Sequence, residues 1–243
     1  MPTFTKSVNR IAVGVASGVV LLASASCSDS EPASADDAPS PVATDEVHVL
    51  DSERGSPDEP APLEPGRYTI PFIGASDGAP WGQVDVPAGW GQDRLHPATG
   101  TDLDPHLRRI ELLAVDRVAP DPCTGVMEPV DPTVDDLVAA LTRQRVVRSD
   151  ASEPATIDGQ HGRMVEFRVP VDLADCPPSL TPFGIGEGWT SVFPGWTYRM
   201  WVLDVDDEPL VVMAAHGPGT TPTELDELTA MVQGLRFVEG EDA

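Results

Sequence analysis

Residues 74–78, with the sequence GASDG, match the G-x-S-x-G pattern that surrounds the nucleophile of many serine hydrolases. In those enzymes the serine occupies a sharp turn between a strand and a helix, and the helix amino terminus supports the oxyanion. Here a second strand pattern follows Ser76, so that helix is missing. Small residues around an aspartate are also typical of a hairpin turn. A secreted hydrolase that uses Ser76, or an acidic pair that spacing does not identify, therefore stays as an alternative to a binding protein.

Other patterns that would support catalysis or metal binding are absent from the sequence. The histidines form no H-x-x-x-H or H-E-x-x-H pair, so no zinc site is predicted. These histidines are His48, His96, His106, His161 and His216. Residues 184–188, GIGEG, are not followed by a helix pattern and so do not predict a phosphate-binding loop. We predict no catalytic residue, no metal and no cofactor.

The first 26 residues have the features of a signal peptide. Lys6 and Arg10 form a positively charged start, and residues 11–25 are apolar or small. This run is about 15 residues long, which is shorter than the roughly 20 residues that a bilayer-spanning helix needs. We therefore expect export into an oxidising environment, in which disulfides form.

The chain has three cysteines, and in an exported protein the odd one requires an explanation. Cys123 and Cys176 are predicted to form a disulfide. This bond would close a loop of about 54 residues and limit the unfolded ensemble by roughly 4 kcal/mol in the chain-entropy model. Cys27 is then left without a partner.

Two interpretations of Cys27 stay open. Ala25 and Ser26 are the small residues that precede the acylated cysteine of a bacterial lipobox, although Ser24 stands where leucine is usual. Alternatively, cleavage after Ala25, at the A-x-A pattern of residues 23–25, releases a secreted protein with a free thiol. The odd cysteine count favours acylation of Cys27. A lipid there would anchor the protein to the outer face of the cytoplasmic membrane.

Composition predicts a disordered tether over residues 27–65 and excludes one class of partner. From residue 28 to 65 the chain has eleven acids, seven prolines and no aromatic residue. Such a segment has too little apolar surface to offset the entropy of ordering, and it suits an anchored lipoprotein. The formal net charge of the whole chain is −25. Because this field repels phosphate backbones, nucleic acid is excluded as a partner.

Residues 66–238 are predicted to form a single α+β domain, followed by an acidic tail over residues 239–243. Alternating apolar patterns indicate hairpin-connected strands, most clearly over residues 196–205 and 210–216. Thr133 and Thr221 each begin a capping box that precedes leucine and valine at helical spacing. Gly234 marks the end of the second helix. We expect an antiparallel sheet flanked by two amphipathic helices.

An aromatic-rich segment follows Cys176 and contains the candidate binding surface. Residues 175–195 include four prolines and four glycines, which indicate a loop. The candidate residues are Phe183, Trp189 and Phe193. Large apolar side chains on a loop held by a disulfide would suit an apolar ligand, a sugar or a partner protein. The alternative is that they cover the sheet and belong to the core.

Residues 84–90, VDVPAGW, resemble the strand that ends in Pro-x-Gly-Trp in PsbP-like domains. The closing helix followed by residues 235–237, LRF, is similar to the end of that fold. The order of signal, cysteine, acidic tether and such a domain resembles the LpqN-type lipoproteins of actinobacteria. The resemblance covers residues 66–238. It implies an antiparallel sheet flanked by helices and a non-catalytic binding or accessory role, and it assigns no catalytic residue.

Overall fold

The computed structural model describes residues 46–240, except for residues 52, 57, 94, 95, 102, 103, 146, 174 and 175. The segment predicted to be a signal peptide, Cys27 and the predicted tether up to residue 45 lie outside the described residues, as do residues 241–243 of the acidic tail. All the described residues belong to one compact unit.

The described part of the chain forms seventeen strands and two helices. In chain order the strands are β1 (Val47–Val49), β2 (Ala61–Pro62), β3 (Gly66–Pro71), β4 (Trp81–Val86), β5 (Gly91–Asp93), β6 (His96–Ala98), β7 (Arg108–Leu113), β8 (Arg117–Val118), β9 (Glu128–Pro129), β10 (Arg148–Ser149), β11 (Glu153–Ile157), β12 (Gln160–Arg168), β13 (Leu180–Ile185), β14 (Gly188–Val192), β15 (Thr197–Val205), β16 (Glu208–His216) and β17 (Arg236–Val238). The helices are α1 (Val134–Thr142), which follows β9, and α2 (Pro222–Gln233), which follows β16.

The strands form three sheets. The large sheet has the order β10-β12-β15-β16-β7-β6-β5-β2, and β11 also pairs with β12. The first sheet has the order β1-β3-β4-β17, and the small sheet has the order β14-β13-β8-β9. These strands pair antiparallel, except that β1 runs parallel to β3. The predicted mixture of many strands with two helices is confirmed, but the strands divide among three sheets.

Alternate residues of β16 belong to two different hydrophobic cores. Val211 and Met213 pack in a cluster with apolar residues of α1 and of the small sheet. Val212 and Ala214 pack instead with α2 and the first sheet. Because successive side chains of a strand point to opposite faces, the large sheet contributes to a core on each of its faces.

Both helices begin at the capping residues that the sequence indicates. The Thr133 hydroxyl accepts a hydrogen bond from the backbone N–H of Asp136 at 3.1 Å. At α2 the capping box is complete, because Thr221 accepts from the Glu224 N–H and the Glu224 carboxylate accepts from the Thr221 N–H at 2.8 Å. These bonds satisfy amides that have no partner within the helix. Gly234 is the C-cap of α2, as predicted.

The mostly apolar run at residues 110–115 does not continue as one strand into residues 117–118. β7 ends at Leu113 in the large sheet, and β8 begins at Arg117 in the small sheet. Between them, the Ala114 N–H donates to the carbonyl oxygen of Ile73 at 2.9 Å. Residues 114–116 therefore connect the large sheet to the small sheet, and they place β8 next to β13.

The ordered domain begins upstream of residue 66. β1 pairs with β3, and Leu50 and Leu63 are buried in the core that contains α2. The His48 ring lies 5.2 Å from the Tyr68 ring. The prediction of a disordered tether is therefore wrong for the described residues from 46 to 65. Composition averaged over a long acidic segment hides a few apolar side chains that dock onto the domain.

Candidate binding surface

A disulfide and a backbone hydrogen bond fix the start of the β13–β14 hairpin. Cys123 and Cys176 form a disulfide with their Cα atoms 4.9 Å apart, as the sequence predicts. The Thr181 N–H donates to the carbonyl oxygen of Pro122, next to Cys123, at 3.2 Å. The segment before β13 is thus joined by the disulfide, and the start of β13 by the hydrogen bond, to the segment that follows β8.

A buried glutamine joins the same strand to the end of α1. The Gln144 side chain donates through Nε2 to the carbonyl oxygens of Ala119, at 2.9 Å, and Pro182, at 2.6 Å. The Ala119 N–H also donates to Pro182, at 2.9 Å. A buried amide is stable only when such partners replace water. The hairpin therefore emerges from a rigid base.

The segment that the sequence predicts to be a loop is mostly a hairpin. In β13 and β14, Ile185 lies opposite Gly188, and Gly186 and Glu187 form the turn. Gly186 has a φ of 54°, which glycine adopts without a steric penalty. The loop prediction is therefore wrong for residues 180–185 and 188–192. Pro182 is tolerated in β13 because it stands at a register irregularity, where the ladder does not require its missing N–H.

Strand alternation separates the three aromatic residues that the sequence places on one surface. Phe183 is fully buried in the core that contains α1, so its assignment to a binding surface is wrong. Phe193 is half-buried against the same core, with its ring centroid 5.5 Å from that of Trp196. Trp189 is 67 % exposed. It lies opposite Gly184, on the outer face of the small sheet, whereas Phe183 is on the inner face.

Arg117 of β8 clamps the turn that carries Trp189. Gly184 pairs with Trp189 on one side and with Arg117 on the other. The guanidinium lies across Gly184, and its Nη2 donates to the carbonyl oxygens of Gly186 and Gly188. The arginine and the indole therefore lie on the same face, on either side of Gly184.

The ionisable groups around this face are mostly acidic. Asp116, beside Arg117, and Glu187, in the turn, are exposed. The positive charge of Arg117 is partly offset, because its Nε donates to Asp116 Oδ1 at 3.2 Å. Trp189 therefore lies on a surface with negative local charge.

Ser76 lies in the turn between β3 and β4. Its hydroxyl donates to the Glu208 carboxylate, with an Oγ–Oε2 distance of 2.8 Å. The chain continues into β4 at Trp81, so a strand and not a helix follows the serine. Ser76 and Trp81 line a cavity of about 440 Å³. Among the described residues, no hydrogen bond joins Ser76 to a histidine.

A groove that the sequence does not predict lies between the first sheet and α2. Its volume is about 510 Å³, and its walls include the Arg67–Asp85 ion pair, with Nε and Oδ1 2.8 Å apart. His48 and Glu46 line the side formed by β1, and Glu227 lies on α2. Sequence reasoning misses it because β1 falls in the segment interpreted as a tether. The apolar spacing of residues 47–50 is the signal that could have found it.

The tryptophan of the Pro-x-Gly-Trp element joins α2 to the large sheet. Trp90 is 2 % exposed, and its indole N–H donates to Glu227 Oε1 at 3.0 Å. The Arg108 guanidinium lies 5.2 Å from the indole ring centroid and also donates to Glu227, at 2.5 Å. The geometry is that of a cation–π contact reinforced by an ion pair. The Trp90 side chain is thus buried and hydrogen-bonded within the fold.

A second charged network crosses β12, β15 and β16. Burial opposes ionisation of Glu166, but hydrogen bonds from Arg199, at 2.7 Å, and from Arg168 outweigh it and lower the pKa of this carboxyl. Burial lowers the pKa of the nearby His216 imidazole. Glu166 thus forms ion pairs with both Arg168 and Arg199.

Among the described residues, no cluster of three or more histidine, cysteine, aspartate or glutamate side chains is arranged to hold a metal ion.

The described part of the chain contains no helix with the length and hydropathy needed to cross a bilayer.

Comparison with protein-family models and with curated proteins finds no match to this chain.

Proposed function

We propose that the chain is an exported cell-envelope protein, anchored through a lipid on Cys27, whose α+β domain binds a ligand or partner without catalysis. One observation carries the binding part of this proposal. Trp189 exposes most of its indole on a hairpin whose base and turn are both held in place.

An exposed indole on a rigid support is a favourable arrangement for binding. Tryptophan has a large contact area and few rotatable bonds, so little entropy is lost when a partner covers it. Its turn is hydrogen-bonded by Arg117, which lowers the cost of ordering the hairpin on binding. These features support a preformed contact surface.

The non-catalytic part of the proposal rests on the surroundings of Ser76. The hydroxyl donates to a carboxylate, and the segment after it is a strand. Neither feature supplies the helix amino terminus that a nucleophile elbow uses. If the Ser76→Ala change abolished hydrolysis of an ester panel by the full chain, while Ser191→Ala did not, the hydrolase alternative would replace this proposal.

We also propose a cellular location and a family for the protein. The acidic segment ahead of the domain and the odd cysteine support an anchored lipoprotein. Cores on both faces of the large sheet, with one helix in each, support the PsbP-like arrangement that the LpqN-type resemblance implies.

Anchoring is tested by fractionating cells that produce the full chain. A Cys27→Ala variant is expected in the culture medium, whereas a Ser28→Ala variant is expected to stay with the membrane. Membrane retention of the Cys27→Ala variant at the level of the unaltered chain would contradict the lipid anchor.

Binding is tested with the detergent-solubilised full chain immobilised and exposed to an envelope extract. We expect the unaltered chain to retain a component of the extract. The Trp189→Ala variant should lose this component, and the Val171→Ala variant should keep it. Val171 is the control because it is 82 % exposed but lies outside the hairpin. Equal retention by both variants would contradict the assignment of the hairpin as the contact surface.

A further inference from the structure

We infer that the outer edge of β14 binds an extended, positively charged segment of a partner protein as an added strand. This inference rests on the proposed function, and it specifies how the same hairpin binds and what it binds. Three features carry it: the free edge, the absence of blocking residues on it, and the acidic surface around it.

The first feature is the position of β14 at the end of the small sheet. Among the described residues, no strand pairs with its outer side. In a two-residue hairpin the pair that flanks the turn, here Ile185 and Gly188, exchanges hydrogen bonds. Trp189 is the next residue, so its N–H and C=O point away from β13.

The register shows the same for Ser191. Thr190 and Val192 have partners in β13, whereas Ser191 has none. The β13 residues at this irregularity are engaged on the other side, because Thr181 donates to Pro122 and Pro182 accepts from Ala119. Trp189 and Ser191 thus present outward backbone groups two residues apart, which is the repeat that an added strand requires.

The second feature is the composition of the edge. Natural edge strands are commonly blocked by lysine, proline, inward-pointing charges or bulges that turn them away. β14 has the sequence GWTSV, which contains no charged residue and no proline. Its register irregularity falls at the far end from Trp189, between Leu180 and Phe183 of the neighbouring strand.

The third feature identifies the partner by charge. Glu187 is exposed in the turn next to Trp189, Asp116 is exposed beside Arg117, and the chain as a whole carries −25. A second copy of this chain would bring the same negative charge to the edge and be repelled. A segment with lysine or arginine alternating with apolar residues would pair with the edge, meet the acids and cover Trp189.

The test uses capped octapeptides with the detergent-solubilised full chain. The probe alternates lysine and valine, and its control alternates glutamate and valine. We expect the lysine peptide alone to bind, and to slow amide exchange at Trp189 and Ser191. A lysine peptide that is N-methylated at alternate residues should bind at least about tenfold more weakly, because it cannot donate to the edge.

Protein variants test the edge independently. Ser191→Pro removes an outward N–H and should weaken the lysine peptide at least about tenfold, whereas Ser191→Ala retains the N–H and should stay within about twofold. Circular dichroism checks that both variants fold. If Ser191→Pro does not fold, the N-methylated peptide still tests the edge in the unaltered chain.

Each contrary result has a distinct meaning. Equal binding of the lysine peptide and its N-methylated form would overturn the added strand, and equal binding of the lysine and glutamate peptides would overturn the charge of the partner. Dimerisation that Ser191→Pro abolishes would make a second copy the occupant and also overturn the inference. If these results occurred while Trp189→Ala still lost its envelope component, the proposed function would stand and this inference would fail.

Discussion

The guanidinium of Arg117 lies across Gly184, so closely that a Cβ at position 184 would be 3.1 Å from Arg117 Cζ. The absence of a side chain at Gly184 is therefore what allows the arginine to reach the carbonyl oxygens of Gly186 and Gly188. This close approach therefore helps to hold the turn of the β13–β14 hairpin.

A Gly184→Ala change should loosen the hairpin. The added Cβ displaces the guanidinium and weakens its hydrogen bonds to the turn, which should lower the free energy of unfolding by about 1–2 kcal/mol. Amide exchange across β14 should become faster. Gly188→Ala is the matched control, because its Cβ would meet only the Ile185 carbonyl oxygen, at 3.5 Å. Equal effects of the two substitutions would show that the clamp does not hold the turn.

Trp90 and Glu227 should be energetically coupled. Trp90→Phe removes the indole N–H, and Glu227→Gln removes the charge that also binds Arg108. Each single change should cost about 1–2 kcal/mol, and the double mutant should cost less than their sum by about 0.5–2 kcal/mol. Urea denaturation of the four proteins measures this coupling. Strict additivity would mean that the negative charge of Glu227 adds nothing to its hydrogen bond with the indole.

The turn between β15 and β16 should be improved by glycine. Asp206 and Asp207 both have positive φ, 54° and 66°, in a two-residue hairpin turn that favours glycine at its second position. Asp207→Gly should therefore raise the free energy of unfolding by about 0.5–1 kcal/mol. Asp207→Asn, which removes the charge and keeps a side chain, is the control. A gain of the same size with asparagine would attribute the effect to charge.

His216 should make the fold less stable in acid. Burial lowers the pKa of its imidazole below the ordinary value of 6.5. On acidification the unfolded chain binds the proton first, so the free energy of unfolding falls as pH drops from 6.5 towards the folded pKa. Urea denaturation across this range should give a shallower pH slope for His216→Gln. An unaltered slope for His216→Gln would contradict the burial effect.

The parts of the fold that the sequence predicts are those with local signals. Thr221 and Glu224 form the capping box at the start of α2 and Gly234 caps its end, and each has a capping role that its residue type indicates. The β15–β16 hairpin is equally local, because alternation and turn residues specify it.

The parts that the sequence does not predict depend on distant contacts. In the sequence, Leu50 lies in an acidic segment with few apolar residues. Its burial depends on the distant residues of α2 and the first sheet that form the core around it. Phe183 and Trp189 are both aromatic residues in one glycine-rich segment, but the register of β13 against β14 decides which one is buried. Composition cannot provide that register, because a shift by one residue exchanges the two faces.

We propose that the exposed indole of Trp189 contacts a ligand or partner in the cell envelope. The most direct test is a photo-crosslinking amino acid placed at position 187, in the exposed turn beside Trp189, in the full chain and in cells that produce and export it, with the same amino acid at position 171 as the control. We predict a specific light-dependent adduct at position 187 that Trp189→Ala abolishes, and none at position 171. Identical behaviour at the two positions, or no adduct at position 187 with Trp189 present, would contradict this proposal.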